Sequence, residues 1–167
     1  MRLVGVDPGL NITGYGVIEE NGSAVSLVEA GIVTSDQRDE MPVRIQSIYD
    51  DILAVFKDAA PQAVAIEQLY AHYKHPRTAI LMGHARGAIM LAAAKCGVAV
   101  SSYSATMVKR SLTGNGHATK SQVQRMIEVM LGLDRAPEPP DVADALAVAL
   151  CHLNAASKPE LFGRRTG

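Results

Sequence analysis

With 167 residues, 48% of them hydrophobic and 20% charged, the chain can build one compact domain with a substantial core and is short for two independent ones. That composition excludes a disordered polar chain, and a formal net charge of −1 excludes nucleic-acid binding by bulk basicity alone. Two bound divalent cations would add four charges and turn −1 into +3, focused wherever the ions sit.

Residues 2–7 form a short apolar run that Asp7-Pro8-Gly9 stops abruptly, as a strand entering a turn does. Thr13 to Glu20 and Ala24 to Thr34 are rich in β-branched residues and glycine, and Asn21-Gly22 between them is a strong hairpin signal. The chain is thus expected to open as a three-stranded antiparallel meander. From Pro42 to Lys57, Val43, Ile45, Ile48, Ile52, Val55 and Phe56 recur near helical spacing. A strand over Ala63 to Ile66, a helix over Arg77 to Lys95 closed by Gly97, and a strand over Val98 to Tyr103 imply a parallel crossover. A helix from Ser104 to Leu112, a break at Thr113-Gly114-Asn115-Gly116-His117, a helix from Thr119 to Leu131 and a last helix from Asp141 to Ala155 complete the order. The expected fold is α/β: a mixed five-stranded sheet, strands 1–3 antiparallel and strands 4–5 parallel, flanked by helices. One domain spans residues 1–157, and the polar, basic segment 158–167 reads as a loosely ordered tail.

The most apolar stretch, Thr78 to Ala94, is interrupted by His84 and Arg86 and makes a poor bilayer span. Arg2 leads straight into a strand pattern without a signal-peptide core, so a cytoplasmic location with no membrane partner is expected. Cys96 and Cys151 form no CxxC and read as small core residues. His72 and His75 have metal-compatible spacing but no companion pair, and read as loop residues. The helix at 77–95 is apolar nearly all round, so it needs cover on both sides, either within the domain or across a two-fold dimer.

Four carboxylates sit at the ends of apolar runs: Asp7, Glu67, Asp141 and Asp144. Taken singly, Asp7 is an ordinary turn initiator, and Asp141 with Asp144 suits a helix start. Glu67, closing Ala63-Val64-Ala65-Ile66, has no capping or turn function. Parallel pairing of the first and fourth strands would set Asp7 beside Glu67 at one sheet edge, where open α/β folds place ligands. Residues i and i+3 share a helix face, so Asp141 and Asp144 project together. Convergent carboxylates need protons or cations to offset their repulsion, and an all-oxygen set suits divalent metal and phosphate chemistry. Basic residues gather mid-chain, among them Lys74, Arg77, Arg86, Lys109, Arg110, Lys120 and Arg125, as a candidate DNA track.

The strings Val4-Gly5-Val6-Asp7-Pro8-Gly9, Thr13-Gly14-Tyr15-Gly16, Ala65-Ile66-Glu67-Gln68, Gly83-His84-Ala85-Arg86-Gly87, Lys120-Ser121-Gln122-Val123-Gln124 and Asp141-Val142-Ala143-Asp144-Ala145-Leu146-Ala147 closely resemble the RuvC-type Holliday junction resolvases, from residue 3 to about 153. The resemblance implies a ribonuclease-H-like fold, a homodimer, and magnesium-dependent paired nicking of opposing strands at a four-way DNA junction in recombination and repair. It further implies two Mg2+ per subunit with Mn2+ as a substitute, a preference for thymine-containing sites, and cooperation with the RuvA and RuvB branch-migration proteins. The family's four acidic metal-binding positions fall on Asp7, Glu67, Asp141 and Asp144. Its basic DNA contacts map to Lys109 and Lys120, and its base-stacking aromatic maps to Tyr70. Arg77 is a further candidate DNA contact.

Other functions fit parts of the pattern. Asp7-Pro8-Gly9 with Thr13-Gly14 loosely fits the phosphate turn of actin-like ATPases, but those need a duplicated lobe that this chain lacks. A binding-only junction module with a structural ion and a simple ribonuclease H are the remaining readings.

Overall fold

The computed structural model describes residues 1–69 and 76–157. Strand β1 (Arg2–Asp7), β2 (Ile12–Asn21) and β3 (Ala24–Thr34) are followed by helix α1 (Met41–Ala59), β4 (Ala63–Glu67), α2 (Pro76–Lys95) and β5 (Ala99–Tyr103). Three helices close the order: α3 (Ala105–Thr113), α4 (Lys120–Leu131) and α5 (Pro140–Ser157). The sheet order is β3-β2-β1-β4-β5, antiparallel across β1–β3 and parallel across β1-β4-β5. The expected mixed sheet is therefore the observed one, with β1 at its centre.

Strand alternation divides the core into two layers. Leu3 and Ala65 point to the side packed by α3, α4 and α5, whereas Val4, Val6, Val64 and Ile66 point to the side packed by α1 and α2. Both faces of β1 and β4 are covered, which is why these strands read as continuous apolar runs rather than alternating ones. Helix α1 buries Ile48, Ile52, Phe56 and Ala59 along one stripe. Helix α4 opens with a reciprocal capping box between Thr119 and Gln122, and Gly114 and Gly132 end α3 and α4 in the left-handed region.

Two features differ from expectation. Asn21 still pairs with Ala24, so the hairpin loop is Gly22-Ser23 rather than Asn21-Gly22. Gly22 supplies the positive φ of 64°, as a two-residue turn with glycine at its first central position requires. The β2–β3 ladder also shifts register between Val17 and Ile18, leaving Val28 unpaired and 47% exposed. Among the described residues, helix α2 is covered by its own chain on one side only. Ala85, Ile89, Ala92 and Ala93 are fully buried, while Ile80, Met90 and Leu91 remain exposed.

Candidate active site

Parity along the strands decides which way the first two carboxylates face. Leu3, Gly5 and Asp7 share one side of β1, and Ala63, Ala65 and Glu67 share the same side of β4, because Leu3 and Ala65 both belong to the α5-side core. The parallel register sets Val6 against Ile66, so Asp7 and Glu67 close neighbouring strands at one edge. In β5, Tyr103 is the residue paired with Glu67.

Helix α5 reaches this edge because glycines let it. A Cβ on Gly5 would lie 2.0 Å from the carbonyl oxygen of Ala145, and one on Gly14 would lie 2.1 Å from that of Asp141. Side chains there would hold the helix away from the sheet. Since Gly14 is the β2 partner of Asp7, the contact sets the first turn of α5 over the end of β1.

The electrostatics record the convergence. Burial first, then the negative charges of Glu67, Asp144 and Asp141, push the Asp7 carboxyl up to about 7 against the opposing pull of Lys120. Burial and then Asp144 likewise raise Glu67, with Lys120 and Lys109 opposing. Lys120 Nζ donates to Asp144 Oδ2 at 3.0 Å, and this bond with the surrounding carboxylates raises the lysine's pKa. Among the described residues, Lys120 is thus the cation bonded to the acidic cluster. Among the described residues no three His, Cys, Asp or Glu side chains are gathered tightly enough to hold an ion as they stand. The donor set is nonetheless all carboxylate oxygen, and the raised proton affinities of Asp7 and Glu67 mark a place where added positive charge is favoured; the residues fit a hard divalent cation.

Two clefts meet at Glu67. One of about 460 Å3 is lined by Asp7, Glu67, Gln68, Ala79, Met82 and Thr106, and the other, of about 210 Å3, by Glu67, Lys109, Lys120, Gln124, Asp144 and other α3–α5 residues. Lys109 and Lys120 therefore share a wall with two of the carboxylates. Arg77 is exposed in the first turn of α2 and lines neither cleft. Tyr70 lies outside the described residues, as do His72, Lys74 and His75.

Some supporting contacts were not read from the sequence. Thr13, fully buried, donates to the Gly9 carbonyl at 2.7 Å and accepts from the Gly9 N–H at 3.2 Å, which ties down the loop leaving Asp7. Arg44 donates to Asn11 Oδ1 at 2.6 Å and to Ser35 Oγ at 3.1 Å, anchoring the same loop to α1. Neither follows a local sequence signal, because each contact spans turns or elements. Ser104, which caps α3 by accepting from the Met107 N–H, was legible as a helix start but not as a cleft residue.

The chain matches the family described as crossover junction endodeoxyribonuclease RuvC over residues 3–152. It belongs to the RuvC family. The protein of that name from Rhodopirellula baltica is 50% identical over 157 residues, 94% of this chain and 88% of the relative. That from Thermosipho melanesiensis is 44% identical, covering 90% of this chain and 96% of the relative. Among solved structures, Thermus thermophilus RuvC in complex with a Holliday junction substrate superposes with a TM-score of 0.90 at 36% identity, covering 95% of this chain and 96% of that one. The yeast mitochondrial Holliday junction resolvase Ydc2, at 10% identity and a TM-score of 0.67, shares the fold. The chain is thus a RuvC-family nuclease with the ribonuclease-H-like sheet that its sequence predicts.

Proposed function

We propose that this chain resolves four-way DNA junctions by metal-dependent hydrolysis of phosphodiesters, nicking opposing strands once per subunit of a homodimer, in recombination and repair. The observation that carries this reading is the placement of α5 over Gly14, which brings Asp141 and Asp144 to the sheet edge already occupied by Asp7 and Glu67 in a chain of the RuvC family. Those four carboxylates would hold the metal, read here as two Mg2+ ions with Mn2+ as a substitute. Bound there, the cations supply Lewis-acid stabilisation of the charge that develops on the phosphoryl group and a lowered pKa for the attacking water.

The chain's own groups do the rest. Asp7 holds its proton toward pH 7 in the metal-free site and must release it to act as a ligand, so the Mg2+ concentration needed for activity should fall as pH rises through that range. Lys120 and Lys109 set positive charge along the wall of the smaller cleft, where it can face a strand's phosphates. Tyr70, three residues after Glu67, is assigned to stacking on a junction base. Arg77 is assigned to the DNA track on charge and exposure.

The dimer reading rests on α2. Ile80, Gly83, His84, Gly87, Met90, Leu91 and Ala94 form one exposed stripe at helical spacing. Among the described residues a Cβ on Gly87 would meet nothing within 4 Å, so the glycine is not required by their packing. A second copy packing closely across the stripe accounts for both the missing side chain and the exposed apolar ones. Among the described residues no helix is long and apolar enough to cross a membrane; cytoplasmic action alongside the RuvA and RuvB proteins is part of the same proposal.

Asp7→Asn tests the enzyme reading. Cleavage of a four-way junction in Mg2+ should fall by at least about 100-fold while junction binding in EDTA is kept. Unchanged cleavage would sink it, and faster cutting of an RNA–DNA hybrid than of the junction by the wild-type chain would favour a ribonuclease H instead.

A further inference from the structure

Helix α5 meets the sheet through small groups and one leucine, Leu146, which seats against Gly16. Gly5 faces the Ala145 carbonyl and Ala149, Gly14 faces Asp141, and the helix carries alanine at 143, 145, 147 and 149. The Gly5 and Gly14 contacts allow close approach, and Leu146 is the large side chain that interlocks with the sheet beside them. The axial position matters to the site, because slippage by one residue moves Asp141 and Asp144 by about 1.5 Å. A ligand constellation tolerates only about 0.5 Å.

Apolar packing brings the helix close to the required height, and a directional contact is what can refine it to the tolerance of the site. Between Ala145 and Leu153, His152 is the one side chain able to make a strong hydrogen bond. Its Nδ1 lies 2.8 Å from the Tyr103 hydroxyl, and the two rings meet edge to face with centroids 5.8 Å apart. Tyr103 is the β5 residue paired with Glu67, so the bond ties α5 to the strand position next to a carboxylate of the site. Burial lowers the His152 pKa and raises that of Tyr103, so both partners are uncharged near neutral pH. A second tie follows on α5, where Asn154 Nδ2 donates to Ser111 Oγ at 3.1 Å and to the Ser111 carbonyl at 3.3 Å on α3.

We propose that the Tyr103–His152 hydrogen bond is an axial stop for α5, making Tyr103 and His152 positioning residues that hold Asp141 and Asp144 level with Asp7 and Glu67. The inference rests on the reading that those four carboxylates bind the divalent cation. Neither residue touches the reacting atoms. They act through the height of the helix.

Calorimetric titration of the full chain with MnCl2, without DNA, tests this for the wild type, Tyr103→Phe, His152→Asn and Asp144→Asn, alongside thermal melts in EDTA. Tyr103→Phe deletes one oxygen and keeps the ring; it should weaken Mn2+ binding roughly tenfold, the lower end of the range for residues that support metal ligands indirectly. His152→Asn returns a hydrogen-bonding atom at the place of Nδ1 and should recover most of that affinity. A His152→Asn protein that binds Mn2+ as weakly as Tyr103→Phe would overturn the directional bond as the cause. Tyr103→Phe that melts lower yet binds Mn2+ like the wild type, while Asp144→Asn loses binding, would overturn the axial stop alone. Wild-type Mn2+ affinity in Asp144→Asn would remove the metal reading and this inference with it. Should Tyr103→Phe not fold, His152→Leu breaks the same bond from the other side and is judged by the same criterion.

Discussion

Asp7 carries two loads at once, since it ends a buried strand and faces three other carboxylates. Its folded-state pKa of about 7 lies above its ordinary value of 3.8, so between those limits the folded chain holds a proton that the unfolded chain has lost. The metal-free protein therefore loses stability as pH rises through that window, and the raised Glu67 adds a contribution of the same sign. Asparagine at position 7 removes the charge and keeps most of the shape. In EDTA at pH 8, Asp7→Asn should be more stable than the wild type by on the order of 2 kcal/mol after solvent screening is allowed for. The difference should vanish near pH 4. Urea unfolding at both pH values measures it, and equal stabilities at pH 8 would show that neither burial nor the neighbouring carboxylates penalise the Asp7 charge. The same variant is expected to lose cleavage, so stability and activity move in opposite directions at this residue. Glu67 stood out in the sequence because a glutamate ending an apolar strand has no capping or turn use. Asp7, by itself an ordinary turn initiator, stood out through the expected pairing of its strand with that of Glu67. Asp141 and Asp144 were ambiguous, since a helix start explains them equally well until the packing of α5 is known.

At the scale of elements, the strands and helices followed from apolar spacing and from the breaks at Asp7-Pro8-Gly9, Gly97 and Gly114. The departures arose where tertiary contacts decide. The hairpin turn moved one residue to place Gly22 at its positive φ, and the Val28 bulge has no local signature. What brings α5 to the site was also hidden, because Gly5 and Gly14 read as ordinary strand glycines and show their purpose only once Ala145 and Asp141 are found against them. Gly14→Ala places a methyl group 2.1 Å from the Asp141 carbonyl oxygen, so strand or helix must shift. The expected cost is about 1–3 kcal/mol, as for overpacking elsewhere, together with weaker Mg2+ activation of cleavage because the first turn of α5 is displaced. Gly22→Ala, in open space on the hairpin, is the comparison: it should cost stability through its backbone angle and leave the Mg2+ requirement unchanged. Equal Mg2+ midpoints for Gly14→Ala and the wild type would show that the glycine contact does not set the site.

For the whole molecule, a net charge of −1 hides a polarised arrangement in which acidic groups gather at one sheet edge and Lys109 and Lys120 line the adjoining cleft. A four-way junction presents equivalent strands to be cut, and a single site per chain cannot cut two of them at once. In the proposed dimer the exposed stripe on α2 is the pairing surface, since it is made of groups with little other reason to face water: Ile80 is 61% exposed and Leu91 53%. Because a two-fold interface repeats every residue, one substitution places two copies of the change in the contact. Leu91→Glu brings two carboxylates into an apolar seam, where each is desolvated and repels the other, at a cost of several kcal/mol to association. Light scattering on the eluting protein should give a dimer mass for the wild type and a monomer mass for Leu91→Glu, with the thermal midpoint of the fold changed little. On a four-way junction carried in a supercoiled plasmid, the wild type should linearise the circle by paired cuts, whereas the monomeric variant should leave nicked circles. A Leu91→Glu protein that stays dimeric and still linearises the plasmid would place the pairing surface elsewhere on the molecule.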